Sequence, residues 1–185
     1  MQRIELPTLR TLRLTLRRYE PEDAPALHAL VSDRRIAATT LNIPHPYPED
    51  GALTFILLAH KRAASGEAYS FAIVRREDGA LLGGIGLRPR RALQAELGYW
   101  VGVPYWGQGY ASEAARRMIA FGFDDLGLNR IYASYFGSNP ASARVLQKAG
   151  MVYEGAMKGH ILKWGEYLDL GFYAILRADY EEQRQ

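Results

Sequence analysis

The sequence predicts a mixed α/β fold, in which helices cover one sheet of parallel and antiparallel strands. Strand patterns outnumber helical ones, and turn signals join some strands directly while helices join others. Chains that combine hairpins with helical crossovers build mixed sheets. The 185 residues, of which 48% are apolar, suit one domain with its own core. We therefore expect a single domain over residues 1–185 with the element order β-α-α-β-β-β-α-β-α-β-β.

The first elements follow from leucine alternation and from helix-start signals. Residues 12–16 alternate leucine with polar residues, which predicts a half-buried strand. Pro21 suits the first position of a helix, and the two acidic residues after it suit the positive end of the helix dipole. Three prolines spaced by two predict an irregular segment over residues 35–50, and a second helix is expected from about 49 to 64.

Three strands are predicted next, the first two joined by a tight turn. Residues 69–73 alternate again, and the tripeptide Glu-Asp-Gly at 77–79 is a hairpin turn signal. The following strand, residues 81–87, contains three glycines, which indicate a bend or the close approach of another backbone. A further strand is expected over residues 95–103.

The second half of the chain combines two helices with three strands. From about Tyr110 the apolar residues recur at helical spacing, and Gly127 is predicted to end this helix. Asn139 followed by Pro140 has the pattern of a helix cap and a first helical residue. The strands are expected at residues 130–136, 152–162 and 166–177.

Composition and charge exclude several classes of function. The net charge of +3 is spread thinly, so we expect no nucleic-acid surface. The absence of cysteine excludes disulfides, thiolate metal sites and a cysteine nucleophile. His45, His60 and His160 lack the spacing of metal ligands, and no metal is expected. No apolar run approaches the ~20 residues that span a bilayer and no signal peptide is visible, so we expect no membrane contact and a cytoplasmic location.

The segment Gly107-Gln108-Gly109-Tyr110-Ala111 joins a predicted strand to a predicted helix. The first N–H groups of a helix have no internal partner and point out of its positive end, and glycines let more N–H groups converge there. Such a corner binds phosphate, and the small Ala111 leaves room for a diphosphate. No Lys-Ser/Thr pair follows the glycines, which excludes a P-loop, and the three-glycine spacing of dinucleotide folds is absent.

Two motifs extend this interpretation. Residues 106–114 read Trp-Gly-Gln-Gly-Tyr-Ala-Ser-Glu-Ala, and residues 139–151 begin Asn-Pro-Ala-Ser-Ala-Arg. They resemble the acetyl-coenzyme A signature and the second hallmark of the GNAT acetyltransferase superfamily, and are most similar to its Rim branch, whose named members acetylate the N-termini of ribosomal proteins. The resemblance covers nearly the whole chain and implies the GNAT fold with acetyl-coenzyme A as co-substrate. The family often has Gln or Arg where this chain has Trp106.

The resemblance also implies how the cofactor is held. Its pantetheine arm would pair with the strand over residues 99–103, where a splay near Val101-Gly102 would leave backbone groups free. The N–H group of Val101 would polarise the thioester oxygen. The residues that the resemblance assigns to cofactor binding are Trp100, Val101, Gly102, Val103, Gly107, Gln108, Gly109, Tyr110, Ala111, Asn139 and Ser142.

Catalysis is expected by direct attack of a neutral amine on the thioester, because no cysteine is present to form an acyl-enzyme. Glu96 is our candidate base, directly or through water, since it precedes the donor strand and shares a face with Trp100; an ion-paired strand residue is the alternative. Ser142 is our candidate acid for the departing thiolate, after the Rim-like Asn-x-x-Ser pattern. Tyr135 is a lesser acid and Glu113 a lesser base.

The acceptor site is expected between the irregular 35–50 segment and the 155–168 hairpin, because both flank the donor site in this fold. Asp169, on the last strand, either has a structural partner or lines the acceptor site. The candidate wall residues are Tyr47, Trp164 and Tyr167.

Three hypotheses for the function stay open. The first is a protein N-terminal acetyltransferase of the Rim kind. The second keeps the chemistry but changes the acceptor to a small amine, such as an aminoglycoside, a polyamine or an amino-acid derivative; the 35–50 segment has only two acidic residues, which gives polycations little support. The third is a binding module that senses acyl-coenzyme A without turnover. A homodimer is among the alternatives for the oligomeric state.

Overall fold

The computed structural model describes residues 6–90 and 92–184, and the ends of the predicted domain and Arg91 lie outside these ranges. Eight strands form one sheet in the order β1-β2-β3-β4-β5-β6-β8-β7. Among the described strands only β5 and β6 are parallel neighbours, which confirms the mixed sheet. The strands are β1 (Leu9–Arg10), β2 (Leu14–Arg17), β3 (Tyr69–Arg75), β4 (Leu81–Arg90), β5 (Gln94–Val101), β6 (Arg130–Phe136), β7 (Val152–Lys163) and β8 (Glu166–Leu176).

Helices cover both faces of this sheet and leave two apolar cores. One core lies between the sheet and the third helix on one face, and the other lies beneath the pair of helices that follow β5 and β6. No helix in residues 6–90 and 92–184 is long and apolar enough to cross a membrane. The helices are α1 (Ala24–Val31), α2 (Arg34–Thr39), α3 (Gly51–Ser65), α4 (Tyr110–Ala120), α5 (Pro140–Lys148) and α6 (Arg177–Glu182).

Two expectations for the N-terminal half were wrong. Leu14 and Leu16 are fully buried in β2, but Leu12 is 86% exposed because it lies in the turn between β1 and β2. The segment predicted to be irregular contains α2, which Asp33 caps by accepting a hydrogen bond from the N–H of Arg35 at 2.9 Å. The helix ends at Thr39, before the three prolines. Only the part of the 35–50 segment after Thr39 lacks regular structure.

The glycines of β4 allow the close approach that the sequence predicted. A Cβ on Gly83 would lie 2.2 Å from the backbone oxygen of Trp100, and one on Gly84 would lie 2.0 Å from the hydroxyl of Tyr19. Both distances are far below a van der Waals contact, so these positions need glycine. These glycines let β5 pack closely against β4 and so fix the position of β5 on that side.

The side chains of β5 alternate between the two faces of the sheet, as a strand requires. Ala95, Leu97 and Val101 point into the core that α4 and α5 cover. Trp100 packs instead into the core on the α1 and α3 face, so Glu96 shares that face. This alternation places the predicted base and the helix that contains the predicted acid on opposite faces of the sheet.

Candidate active site

A gap opens between β5 and β6, the two parallel neighbours. Their backbone pairing ends at Glu96 opposite Tyr132, although both strands continue for several residues. The rest of β5 pairs with β4 alone. The two strands therefore splay apart toward their C-terminal ends. The splay begins after Glu96, earlier than the position expected near Val101-Gly102.

The backbone groups that face this gap belong to Tyr99 and Val101. The N–H of Gly102 donates to the oxygen of Leu82 at 2.8 Å, so it is not free for a ligand. In an antiparallel pair, alternate residues point their hydrogen-bonding groups to the same neighbour. Trp100 therefore also faces β4, whereas Tyr99 and Val101 direct their N–H and C=O groups into the gap.

Trp106 closes one end of the gap. Trp106 stands where the family that the sequence resembles often has Gln or Arg. Its indole Nε1 donates to the oxygen of Val101 at 2.6 Å. This bond satisfies the Val101 carbonyl and ties the glycine loop to the end of β5. The N–H of Val101 stays directed into the gap.

The Trp106 bond leads to a first prediction. Trp106→Phe keeps an aromatic ring but removes the N–H donor. We expect coenzyme A to bind about three- to tenfold more weakly, which corresponds to the net free energy of one hydrogen bond. Calorimetric titration with coenzyme A measures this change. Trp164→Phe is the matched control, because this indole is 52% exposed at a hairpin tip and should leave affinity unchanged. Equal affinity of wild type and Trp106→Phe would show that the bond does not shape the site.

The glycine loop and the start of α4 form the predicted phosphate cradle. Gly107 and Gly109 have φ of 76° and 81°, left-handed values that favour glycine. Gly109 precedes α4 without a side-chain cap. In the described ranges, the N–H groups of residues 107–109 have no acceptor, and those of residues 110–112 open α4, where the first N–H groups of a helix have no partner inside it. Six consecutive donors at the positive end of a helix fit a diphosphate.

Arg13 and Glu113 brace this loop from the side. Arg13 donates to the oxygen of Gln108 at 3.0 Å and to the carboxylate of Glu113 at 2.7 Å. The hydroxyl of Thr11 also donates to Glu113. Burial favours the neutral acid, but the hydrogen bonds from Thr11 and Arg13 prevail and lower the pKa of Glu113. The carboxylate is thus committed to the hairpin between β1 and β2, which weakens its case as a base.

Ser142 lies in the first turn of α5, where its hydroxyl contacts the Tyr99 phenol at 2.7 Å. Asn139 caps this helix as predicted, by accepting the N–H of Ser142 at 3.2 Å. Burial raises the pKa of Tyr99 to about 12, so the phenol stays protonated and can donate to Ser142. This contact of the Tyr99 side chain was not predicted, although strand alternation places Tyr99 on the α5 face.

Glu96 lies farther from the free backbone groups than the sequence suggested. It accepts a hydrogen bond from Arg90 at 2.6 Å and is therefore the ion-paired strand residue of the alternative interpretation. Val101 lies five residues further along β5, which is about 16 Å of extended strand. The Glu96 carboxylate can act on a group near Val101 only through intervening water.

A cleft of about 440 Å³ lies beyond the C-terminal end of β6. It contains the lesser acid candidate Tyr135, and Tyr167, which is 73% exposed. Asp169, left open by the sequence, lines it as well. The lining residues are Tyr135, Gly137, Ser138, Ala156, Lys158, Tyr167, Leu168, Asp169 and Gly171.

The hairpin of β7 and β8 reaches the segment around α2. Arg34 stacks on the Trp164 ring at 5.1 Å, and Lys163 donates to the oxygen of Thr40. The two segments expected to flank the acceptor thus touch each other. Tyr47 instead packs against the His28 ring at 5.7 Å and the core on the α3 face. Within the described residues, no group of three or more metal-ligating side chains is close enough to hold an ion.

Comparison with known proteins decides the family. The model of the acetyltransferase (GNAT) domain matches residues 13–152. The chain belongs to the GNAT acetyltransferase family. The uncharacterized N-acetyltransferase p20 of Bacillus licheniformis is 32% identical to this GNAT protein, over 95% of this chain and 99% of p20.

Two other relatives have names that mention an acceptor. YdaF of Bacillus subtilis, whose name assigns it provisionally to ribosomal N-acetyltransferases, is 26% identical over 92% of this chain and 95% of its own. The L-amino acid N-acetyltransferase AaaT of Escherichia coli is 27% identical over 89% of this chain and 98% of its own.

Solved structures agree with the GNAT fold. A GNAT acetyltransferase of Bacillus anthracis superimposes with a TM-score of 0.81 at 28% identity, covering 92% of this chain and 98% of the other. RimJ of Mycobacterium smegmatis, solved in complex with a coenzyme A disulfide, gives 0.85 at 23% identity, covering 97% and 90%. The predicted fold and the Rim-like resemblance are confirmed, and this GNAT protein is an N-acetyltransferase.

Proposed function

We propose that this enzyme transfers the acetyl group of acetyl-coenzyme A to an α-amine, in the first place the N-terminal amine of a polypeptide. The observation that supports it best is the run of free N–H groups at residues 107–112 beside the gap between β5 and β6. The Rim-like motifs favour a polypeptide N-terminus, and YdaF has a name of that kind. The name of AaaT favours a free amino acid as second candidate, and both candidates are α-amines.

The residues that would hold the donor follow from their free groups. The N–H groups of residues 107–112 would bind the diphosphate, and the backbone of Tyr99 would pair with the pantetheine amides. The bound donor supplies an acetyl thioester, which an amine can attack without prior activation by the protein. The N–H of Val101 would hydrogen-bond to the thioester oxygen as negative charge develops there.

Transfer forms one C–N bond, breaks one C–S bond and moves one proton from nitrogen to solvent and one to sulfur. Ser142 would give the sulfur its proton and regain one from solvent, and the Tyr99 phenol would hold the Ser142 hydroxyl in place by a hydrogen bond. Glu96 remains our candidate base and would take the amine proton through water. A polypeptide α-amine, with a pKa near ~8, needs little help from this base.

Thiol release tests the function. The enzyme is incubated with acetyl-coenzyme A and peptides that have a free or an acetylated N-terminus, free amino acids, and polyamines. We expect release with free-amine peptides and none with their acetylated counterparts. Release with polyamines alone would reject the α-amine assignment. Tight donor binding without release from any amine would support the non-catalytic module instead.

The pH profile gives a second prediction, which separates α-amines from lysine side chains. With a peptide acceptor that lacks lysine, kcat/KM should rise with pH and level off near pH ~8, where the α-amine is neutral. Because the pKa of Tyr99 is about 12, its ionisation should cause no fall below pH 10. Stopped assays over pH 6–10 measure the profile. A lysine side chain would instead be the acceptor if an N-acetylated peptide that contains lysine reacted faster than the first peptide and its kcat/KM kept rising toward pH ~10.4.

A further inference from the structure

Asp169 and Lys158 are the two charged residues in the lining of the cleft beyond β6. The Lys158 ammonium donates to one carboxylate oxygen of Asp169 at 2.7 Å. The N–H of Gly159 donates to the other oxygen at 2.8 Å. The hydrogen bond from the Lys158 ammonium lowers the pKa of Asp169, so the cleft contains a carboxylate anion whose one charged partner within residues 6–90 and 92–184 is this lysine.

An irregularity in β7 shapes this arrangement. The pairing of β7 with β8 shifts register between Met157 and Ile161, and Gly159 has a φ of 52° inside the shift. Such bulges redirect side chains and are frequent beside active sites. Here the bulge turns a backbone N–H and the Lys158 side chain toward Asp169. The carboxylate is therefore held in place by the backbone even when the lysine side chain leaves.

The strand register places Asp169 at the level of the donor site. The pairing of β5 with β6 ends at Glu96 opposite Tyr132, and a count of five residues further along each strand sets Val101 at the level of Gly137 across the gap. The N–H of Gly137 donates to the backbone oxygen of Asp169 at 2.9 Å. By this count Asp169, unlike Glu96, lies level with the backbone groups proposed for the thioester.

The Lys158 ion pair is easy to replace. The Lys158 side chain is 85% exposed, and exposed pairs of this kind contribute little to stability. The rings of Tyr135 and Tyr167 also line the cleft, and aromatic faces attract ammonium groups. A primary ammonium on a ligand offers the same three donors as Lys158, and can bring more contacts with it.

We propose that Asp169 binds the protonated acceptor amine, and that Lys158 occupies this carboxylate until the acceptor displaces it. The inference rests on the proposed function, since it names the anchor for the same acceptor. The amine then loses its proton to water before it attacks, so Asp169 sets the position of the nitrogen. Acetylated N-termini lack this charge and are excluded.

The test uses propylammonium chloride as probe and the protein saturated with coenzyme A. NMR titration follows the amide signals of Gly137 and Gly159. Lys158→Met removes the competing ammonium but keeps the stem, so half-saturation should fall up to about fivefold below wild type. Asp169→Asn should abolish the saturable shift. Propanol, which has the same chain length without charge, should produce no such shift in any of the three proteins.

The expected changes in probe affinity, a gain in Lys158→Met and a loss in Asp169→Asn, distinguish a binding role of Asp169 from a purely structural one. If the ion pair only stabilises the bulge, both variants should perturb Gly159 and neither should bind the probe better. Unchanged or weaker probe binding by Lys158→Met would overturn the proposal, as would weaker coenzyme A binding by Asp169→Asn, which would assign the cleft to the donor. Saturable probe binding in an enzyme that acetylates no amine would support the anchor and reject the transfer. If the enzyme acetylates an amine and Asp169→Asn leaves the acceptor KM unchanged, the transfer is supported and the anchor is rejected.

Discussion

Gly109→Glu should weaken coenzyme A binding by about 100-fold. Gly109 has a φ of 81°, so a side chain there costs about 1–2 kcal/mol, and in the free protein this strain favours loop conformations that no longer form the cradle. The new carboxylate would also lie beside the N–H groups of residues 107–112, where it repels the diphosphate by a further ~1–4 kcal/mol. A loss of about 3 kcal/mol corresponds to roughly 100-fold in affinity. Calorimetric titration with coenzyme A measures the loss directly.

Gly127→Glu is the matched control for this variant. Gly127 has a φ of 65°, is exposed, and follows the helical segment that continues from α4, far from the cradle. The control therefore introduces the same strain and the same charge without touching the proposed site. We expect similar losses of thermal stability in both variants but wild-type affinity in Gly127→Glu. Equal loss of affinity in both would mean that strain, and not the cradle, explains the first result.

Local pattern was sufficient to predict the elements around the cradle. The strand expected at 130–136 is found as β6 with those bounds, and α4 and α5 begin at the predicted residues Tyr110 and Pro140. These starts depend on glycine conformation and on a cap, which are properties of a few neighbouring residues. The helix α2 was missed because the prolines that follow it dominated the interpretation of the segment, although Asp33 is an ordinary cap.

The contacts that shape the site could not be predicted, because they join distant parts of the chain. Tyr99 and Ser142 are 43 residues apart and meet only because α5 docks on the face to which Tyr99 points. The partner of Glu96 illustrates the same limit, since the sequence left both a base and an ion pair open and the strand pairing brings Arg90 to it. The role proposed for Asp169 depends on a bulge in β7 at Gly159, a glycine of the kind that marks strand irregularities, but the residues that the bulge brings together were not predicted.

Ser142→Ala should lower kcat about 100-fold while coenzyme A affinity changes less than about threefold. Positioned acids contribute roughly 10²–10⁴ to a rate, and the lower end applies because a thiol with a pKa near ~8.5 leaves with little assistance. The affinity should hold because the phosphate cradle, residues 107–112, lies on another helix. Single-turnover thiol release with the best peptide acceptor measures the chemical step, and calorimetry measures the affinity.

Two further variants show whether the hydroxyl itself is responsible. Tyr99→Phe keeps Ser142 but removes the phenol hydroxyl that lies 2.7 Å from it, so its kcat should fall about tenfold, a smaller loss than that of Ser142→Ala. Ser138→Ala removes a hydroxyl from the loop between β6 and α5, which leads into the helix of Ser142 and lines the cleft, and should leave kcat unchanged. Wild-type turnover in Ser142→Ala would remove this residue from the mechanism. A fall of the same size in Ser138→Ala would instead indicate that the loop as a whole, and not proton donation to sulfur, limits the rate.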